Sequence, residues 1–149
     1  MQKTALLALF IAGLAGCAST PAPATYGNFV QTPVATDDKA MADDVVKKLA
    51  ALYPPAKTRF NLQHPTPDAF GIAMVATLRA KGYALAEVKP DAQAPALAAG
   101  EQSLAYIIDQ PLDAGLYRVT VLVNSQTLSR VYQSAGGAVT PAGAWVRKE

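Results

Sequence analysis

The sequence is poor in the residues from which most active sites are assembled. Among 149 residues there is one cysteine, one histidine and one tryptophan, and charged side chains make up 16%. A single cysteine, Cys17, excludes an internal disulfide. A single histidine, His64, excludes a histidine cluster of metal-ligand spacing, and no second cysteine makes up the number. No G-x-S-x-G elbow presents a nucleophilic serine, and no G-x-x-x-x-G-K loop cradles phosphate. The 13 basic side chains nearly balance the 11 acidic ones and form no run of like charge, which argues against nucleic acid as a direct ligand. A long hydrophobic run is missing too. Ala5 to Ala15 is the most apolar stretch, and it falls well short of the roughly 20 residues that cross a bilayer as a helix.

The few candidates for chemistry carry simpler explanations. His64 lies in Gln63-His64-Pro65, between an expected strand and an expected helix, a place for a solvated loop residue rather than a general base. Asp109 and Asp113 flank a turn and form a conceivable carboxylate pair, yet turn aspartates usually bond the local backbone. Gly136-Gly137, between two strands, is hairpin chemistry rather than a phosphate loop. The expectation is a protein that is not an enzyme, with no cofactor, no metal and no small-molecule substrate.

What is present starts at the N-terminus. Lys3 and the free amine form a short positive end, Ala5 to Ala15 an apolar middle, and Ala15 and Gly16 a small-residue close, the three parts of a secretory signal. Leu14-Ala15-Gly16-Cys17 resembles the lipobox of bacterial lipoproteins, in which the cysteine sulfur receives a diacylglyceryl group and becomes the mature N-terminus. Residues 1–16 are therefore expected to be a lipoprotein signal peptide, and Cys17 a lipid anchor. At about 0.8 kcal/mol per buried CH2, one acyl chain holds reversibly, whereas two or three hold firmly. Lipoproteins kept at the inner membrane usually carry Asp after the cysteine. Ala18-Ser19 differ, which implies sorting to the outer membrane, with the folded part in the periplasm or at the cell exterior.

Residues 17–36 are rich in Ala, Pro, Thr and Ser and read as a flexible tether, because such a composition buries too little apolar area to offset ordering. One island interrupts it: Tyr26, Gly27, Asn28, Phe29, Val30 and Gln31. Either this segment folds back onto its own domain, or it binds a partner by adding as a strand to another protein's sheet edge.

Residues 37–149 are expected to form one α+β domain. Asp37-Asp38 offers a helix N-cap, and Met41, Val45, Val46, Leu49, Leu52 and Tyr53 recur on one helical face until Pro54-Pro55 ends it. Thr58 to Gln63 alternates as a strand. A second helix has Thr66 as cap and Pro67 in its first turn, with Phe70, Met74, Thr77, Leu78 and Lys81 along a stripe and Gly82 as left-handed terminator leading into a strand from Tyr83 to Val88. Lys89 to Ser103 is a long polar loop, either a mobile surface feature or a contact site. The last third is a meander: Leu104 to Asp109, Leu116 to Val123, Thr127 to Gln133 and a run around Ala144 to Arg147. Two helices on one face of a mostly antiparallel sheet give a two-layer sandwich.

The lipobox, the Tyr-Gly-Asn-Phe-Val island, Leu52-Tyr53-Pro54-Pro55-Ala56-Lys57-Thr58 and Leu78-Arg79-Ala80-Lys81-Gly82-Tyr83-Ala84 together resemble the TrbH family of conjugal transfer lipoproteins. The resemblance implies an outer-membrane lipoprotein in the core complex of a conjugative type IV secretion apparatus, the one that forms mating pairs during plasmid transfer. It implies other secretion-core subunits as partners, and it carries over Cys17 alone as a functional position. A free-standing envelope lipoprotein, acting in entry exclusion or cell-wall maintenance, is the alternative.

Overall fold

The computed structural model describes residues 25–31, 33–111 and 115–149. Its elements in order are β1 (Gly27–Asn28), α1 (Ala35–Leu52), a 3-10 turn (Pro55–Lys57), β2 (Arg59–Leu62), α2 (Ala69–Ala80), β3 (Ala84–Ala86), β4 (Glu101–Asp109), β5 (Leu116–Val123), β6 (Gln126–Ala135), β7 (Ala138–Pro141) and β8 (Val146–Lys148).

β-branched alternation organises the sheet. Val119, Val121 and Val123 of β5 are buried, as are Leu104, Tyr106 and Ile108 of β4 and Leu128 and Tyr132 of β6. The antiparallel registers Ile108↔Val119 and Val121↔Leu128 place them on one face. Each outer edge of this three-stranded core is shared by two short strands laid end to end. On β4, β2 pairs in parallel with Glu101 to Leu104, and β1 in parallel with Ile107 and Ile108. On β6, β8 pairs with Thr127 to Ser129 and β7 with Tyr132 to Ala135, both antiparallel. β3 extends β2 in parallel. Among the described residues the result is an open, mostly antiparallel sheet of eight strands with two helices, the expected α+β class.

α1 buries Met41, Val45, Val46 and Leu49 against that face, as its spacing requires. It begins three or four residues earlier than expected, with Val34 as an N-cap that contributes no side-chain bond. Asp37 and Asp38 sit in the first turn instead, where the helix dipole favours them. Asp37 faces the sheet and accepts a hydrogen bond from the Ser134 hydroxyl at 2.6 Å. In α2 the cap is Asp68 rather than Thr66, its carboxylate accepting from the Gly71 N–H at 3.1 Å. Phe70, Met74 and Leu78 are buried. Thr77 donates to Asp43 of α1 at 2.8 Å, while Lys81 is exposed. The helix closes as predicted: Gly82 has φ +88, Tyr83 N–H reaches the Leu78 carbonyl at 3.1 Å and Gly82 N–H that of Arg79 at 2.9 Å. The two helix ends meet where the Tyr83 hydroxyl donates to the Tyr53 carbonyl at 2.5 Å. Between them Phe60 stacks on Tyr83 at 5.2 Å and meets Tyr53 edge-on at 6.1 Å.

Three segments depart from the expected pattern. β4 starts at Glu101, inside the expected loop, because Glu101 and Gln102 pair with Arg59 and Phe60. β7 follows the Gly136-Gly137 turn, whose φ values of +62 and +79 make it a tight hairpin. The last strand begins at Val146 rather than Ala144.

Candidate functional site

A polar site forms at the shared edge of β4. β2 pairs up to Leu104 and β1 resumes at Ile107, so the intervening Tyr106 N–H has no strand to bond. His64 fills the gap. Gln63 N–H bonds the Leu104 carbonyl at 3.0 Å, and the chain then crosses the edge so that the His64 Nε2 accepts from Tyr106 N–H at 3.2 Å. With Nε2 an acceptor, Nδ1 carries the proton and donates to the Pro65 carbonyl at 2.8 Å. The ring lies 4.5 Å from that of Tyr106, edge to face, and 5.6 Å from Tyr26.

His64 is thus a correction to the sequence reading: it is 8% exposed and repairs the sheet, where a solvated loop residue was expected. Burial, only partly opposed by the Pro65 carbonyl and Asp68, holds its pKa below the ordinary value. A second proton on Nε2 would face the Tyr106 N–H, so the neutral ring is the form that fits.

Around it the helix starts converge. The Tyr106 hydroxyl donates to the Asp68 carboxylate, which caps α2. Burial first, then the hydrogen bond to Asp68 and its charge, pushes the Tyr106 hydroxyl far above its usual range. Asp38, 2% exposed, has one carboxylate oxygen with no hydrogen-bond partner, and the Asn28 side-chain nitrogen on β1 is likewise buried and unpaired. Burial, reinforced by Asp68 and Asp37, pushes the Asp38 carboxyl up to about 6, the neighbouring Asn28 amide pulling the other way.

The island Tyr26 to Gln31 therefore lies on its own sheet. Gly27 and Asn28 form β1, Phe29 N–H bonds the Ile108 carbonyl at 2.8 Å, Val30 is buried, and the Asn28 side-chain oxygen accepts from Val30 N–H at 3.0 Å. Gln31 is exposed. Strand alternation turns the Asn28 backbone groups away from β4. Phe29 is 45% exposed. Beside β1 runs an open groove of about 670 Å³ between Tyr26 to Phe29 and Gln63 to Asp68, closed by Ala92 to Ala94. Both nitrogens of His64 and the Asp68 carboxylate are engaged in bonds that hold β4 and the start of α2, an arrangement that ties the fold together rather than one poised for proton transfer.

A second polar cluster ties α1 to β6. Asp44 accepts from Arg130 at 2.7 Å and from the Tyr132 hydroxyl at 2.8 Å, and the Arg130 guanidinium lies 5.7 Å from the Trp145 ring centre. Sequence reading missed Asp38, Asp44 and Arg130. A signal existed: Asp37 and Asp44 fall four before and three after Met41 on the apolar helical face, and a carboxylate on a core face requires a partner. Asp109 forms a two-pronged pair with Arg118 across the β4–β5 hairpin, at 3.0 and 2.5 Å. Asp113, the other member of the conceivable carboxylate pair, lies outside the described residues, as does Cys17.

Among the described residues, no cluster of His, Cys, Asp and Glu stands ready for a metal, and no helix is long and apolar enough to cross a membrane. No curated protein and no solved structure matches the chain. Residues 23–149 match the family described as conjugal transfer protein TrbH, a span that takes in every described element from β1 to β8, and the chain belongs to that family.

Proposed function

We infer that this conjugal transfer protein works as a lipid-anchored structural part of the secretion apparatus, held by Cys17 in the outer membrane with its α+β domain in the periplasm. Residues 1–16 serve as the signal, residues 17–36 as the connection to the membrane, and residues 37–149 as the body of the domain. The observation that carries this reading is the family match over residues 23–149, joined to a polar site whose His64 and Asp68 are spent on bonds to β4 and to the start of α2. The reading assigns the protein no reaction. Its contribution is geometric: it fixes a domain at the membrane and offers the rim of β1 to a neighbouring subunit. Tyr26, Gly27, Asn28, Phe29, Val30 and Gln31 are the partner segment, with the outward edge of β1 and the exposed Phe29 ring as its contact face.

The test is affinity capture of the tagged protein from cells carrying the whole transfer gene cluster, solubilised in mild detergent, followed by mass spectrometry and sizing. Recovery of larger envelope subunits in a particle far above monomer size is expected, and loss of that association when Tyr26 and Phe29 are replaced by Ala. Recovery of the lone protein would instead support a free-standing envelope lipoprotein. That second reading draws on the docking of β1 into its own sheet, which gives the island a role without any partner. The anchor has its own test: Cys17→Ser removes the only thiol, so palmitate labelling that persists in this variant would end the lipoprotein reading.

A further inference from the structure

The charges of this domain are sorted by height along the sheet. Arg59 of β2 stands opposite both Ala84 of β3 and Glu101 of β4, and Lys148 of β8 stands opposite Thr127, next to the start of β6. Tyr53, at the end of α1, bonds Gln126 at 2.6 Å and receives the bond from Tyr83, just beyond α2. The ends of both helices and the starts of β2, β3, β4 and β6 therefore share one end of the molecule. Lys57, Lys81 and Lys148 lie on that end, all exposed, and Lys47 and Lys48 lie in the last two turns of α1. None of these five lysines forms an ion pair among the described residues. Arg59 and Arg147 add two more cations, opposed by Glu101 and Glu149. The opposite end holds Asp37, Asp38, Asp68 and Asp109, and its cations Arg118 and Lys39 are both ion-paired, to Asp109 and Asp43. A chain close to neutral overall is thus strongly basic at one end.

β1 runs parallel to β4, with Gly27 on the side of Asn28 nearer the start of β4. Gly27 stands opposite Ile107 and Arg59 opposite Glu101, a separation along β4 of about 20 Å at 3.3 Å per residue. From Cys17 to Gly27 the chain can reach up to about 35 Å, enough to pass the basic end and meet a surface lying against it.

We propose that the basic end, centred on Lys57, Lys81 and Lys148, lies on the anionic phospholipid headgroups of the leaflet that holds the acyl chains, so that the domain stands on the membrane with β1 upright. The proposal rests on the anchoring of Cys17. The lipid keeps the domain within reach of the surface, and the lysines, which act over a Debye length of about 8 Å at physiological salt, then fix which end faces down. A juxtamembrane lysine near an anionic leaflet gains about 1 kcal/mol, a factor of roughly five in local occupancy.

The acylated full-length protein is reconstituted into vesicles of phosphatidylcholine alone and of phosphatidylcholine with phosphatidylglycerol, and lysine reactivity toward an amine reagent is read by mass spectrometry. Lys57, Lys81 and Lys148 are expected to react about fivefold more slowly on the anionic vesicles than on the neutral ones, with Lys39, paired to Asp43 in the first half of α1, unchanged. The protection should vanish in 1 M salt. Combining Lys57→Glu with Lys81→Glu, both at exposed positions, should abolish the protection of Lys148. Equal reactivity on the two vesicles, or protection that survives the double reversal, overturns the proposal. Flotation with the neutral vesicles reads the anchor separately: a protein that fails to float refutes lipidation at Cys17 and with it the anchored orientation, whereas a protein that floats with unprotected lysines refutes the basic end alone.

Discussion

Replacing Asp38 by Asn should stabilise the protein at neutral pH, against the usual effect of a core substitution. Asp38 is 2% exposed, has a carboxylate oxygen without a partner, and shares its surroundings with Asp37 and Asp68. Its carboxyl is pushed from 3.8 to about 6. Because the folded value lies above the unfolded one, Asp38 contributes stability that is fully present below pH 3.8 and is lost as pH rises through about 6. Between those values, at about 1.4 kcal/mol per pKa unit, the loss reaches at most about 3 kcal/mol. Asn cannot ionise and keeps the shape of the side chain. Asp38→Asn should therefore gain up to about 3 kcal/mol at pH 7.5, roughly 10 °C in Tm for a domain of this size. About half of the gain should remain at pH 5, closing to nothing below the unfolded value. Urea unfolding followed by circular dichroism at pH 7.5 and pH 5 measures both. A variant less stable than the parent at pH 7.5, or a difference independent of pH, would refute the assignment of an uncompensated charge to this site.

The remaining predictions concern the groups around it. His64→Ala leaves the Tyr106 N–H of β4 without its acceptor and should cost about 1–3 kcal/mol. Because the His64 pKa is lowered by burial, its contribution is present above pH 6.5 and lost as pH falls, so this variant should also flatten the decline in stability below pH 6.5, most visibly in the Asp38→Asn background. At Gly71 an added Cβ would overlap the Tyr106 hydroxyl and approach the Thr66 Cβ to 2.7 Å; Gly71→Ala should destabilise by about 1–3 kcal/mol, read by thermal melts. Asp44→Ala strands both Arg130 and the Tyr132 hydroxyl and should cost about 1–3 kcal/mol in urea unfolding, whereas Tyr132→Phe, which keeps the ion pair, should cost less.

The fold class was legible because it rests on periodicity. Val119, Val121 and Val123 alternate on β5, Met41, Val45 and Leu49 repeat on α1, and Gly82 stops α2 where its left-handed backbone is required. Signals of this kind are local, and no distant residue is needed to produce them. The site around β1 was legible only in part, because nothing local encodes it. Whether a two-residue strand forms at Gly27 depends on the edge β4 offers at Ile107, eighty residues along the chain. His64 reads as a loop residue from its neighbours Gln63 and Pro65, and its burial follows only once β2 and β1 are known to leave a gap between them. The caps failed for a related reason: Asp68 displaces Thr66 because its second oxygen also takes the Tyr106 hydroxyl, a bond from thirty-eight residues away that no capping preference anticipates.

That gap bears on how β1 is used. A single continuous strand along the edge of β4 would need neither His64 nor the Asn28–Asp38 contact, and it would be held by a long ladder of backbone bonds. Dividing the edge gives β1 only two ladder residues, so its attachment depends on side chains: Asn28 beside Asp38, the Tyr26 ring beside His64, and buried Val30. The energetics of β1 are therefore separable from those of the core. Substitutions at Tyr26 or Val30 can loosen β1 while β4, β5 and β6 stay paired, whereas those at Val119 or Leu128 cannot spare the sheet. A short, side-chain-held strand lets load or a competing partner act on β1 without unfolding the body behind it. Hydrogen exchange can read this order directly: the amides of Phe29 and Val30 should exchange well ahead of those of Val119 and Val121, and Tyr26→Ala should widen that difference while leaving the core amides unchanged.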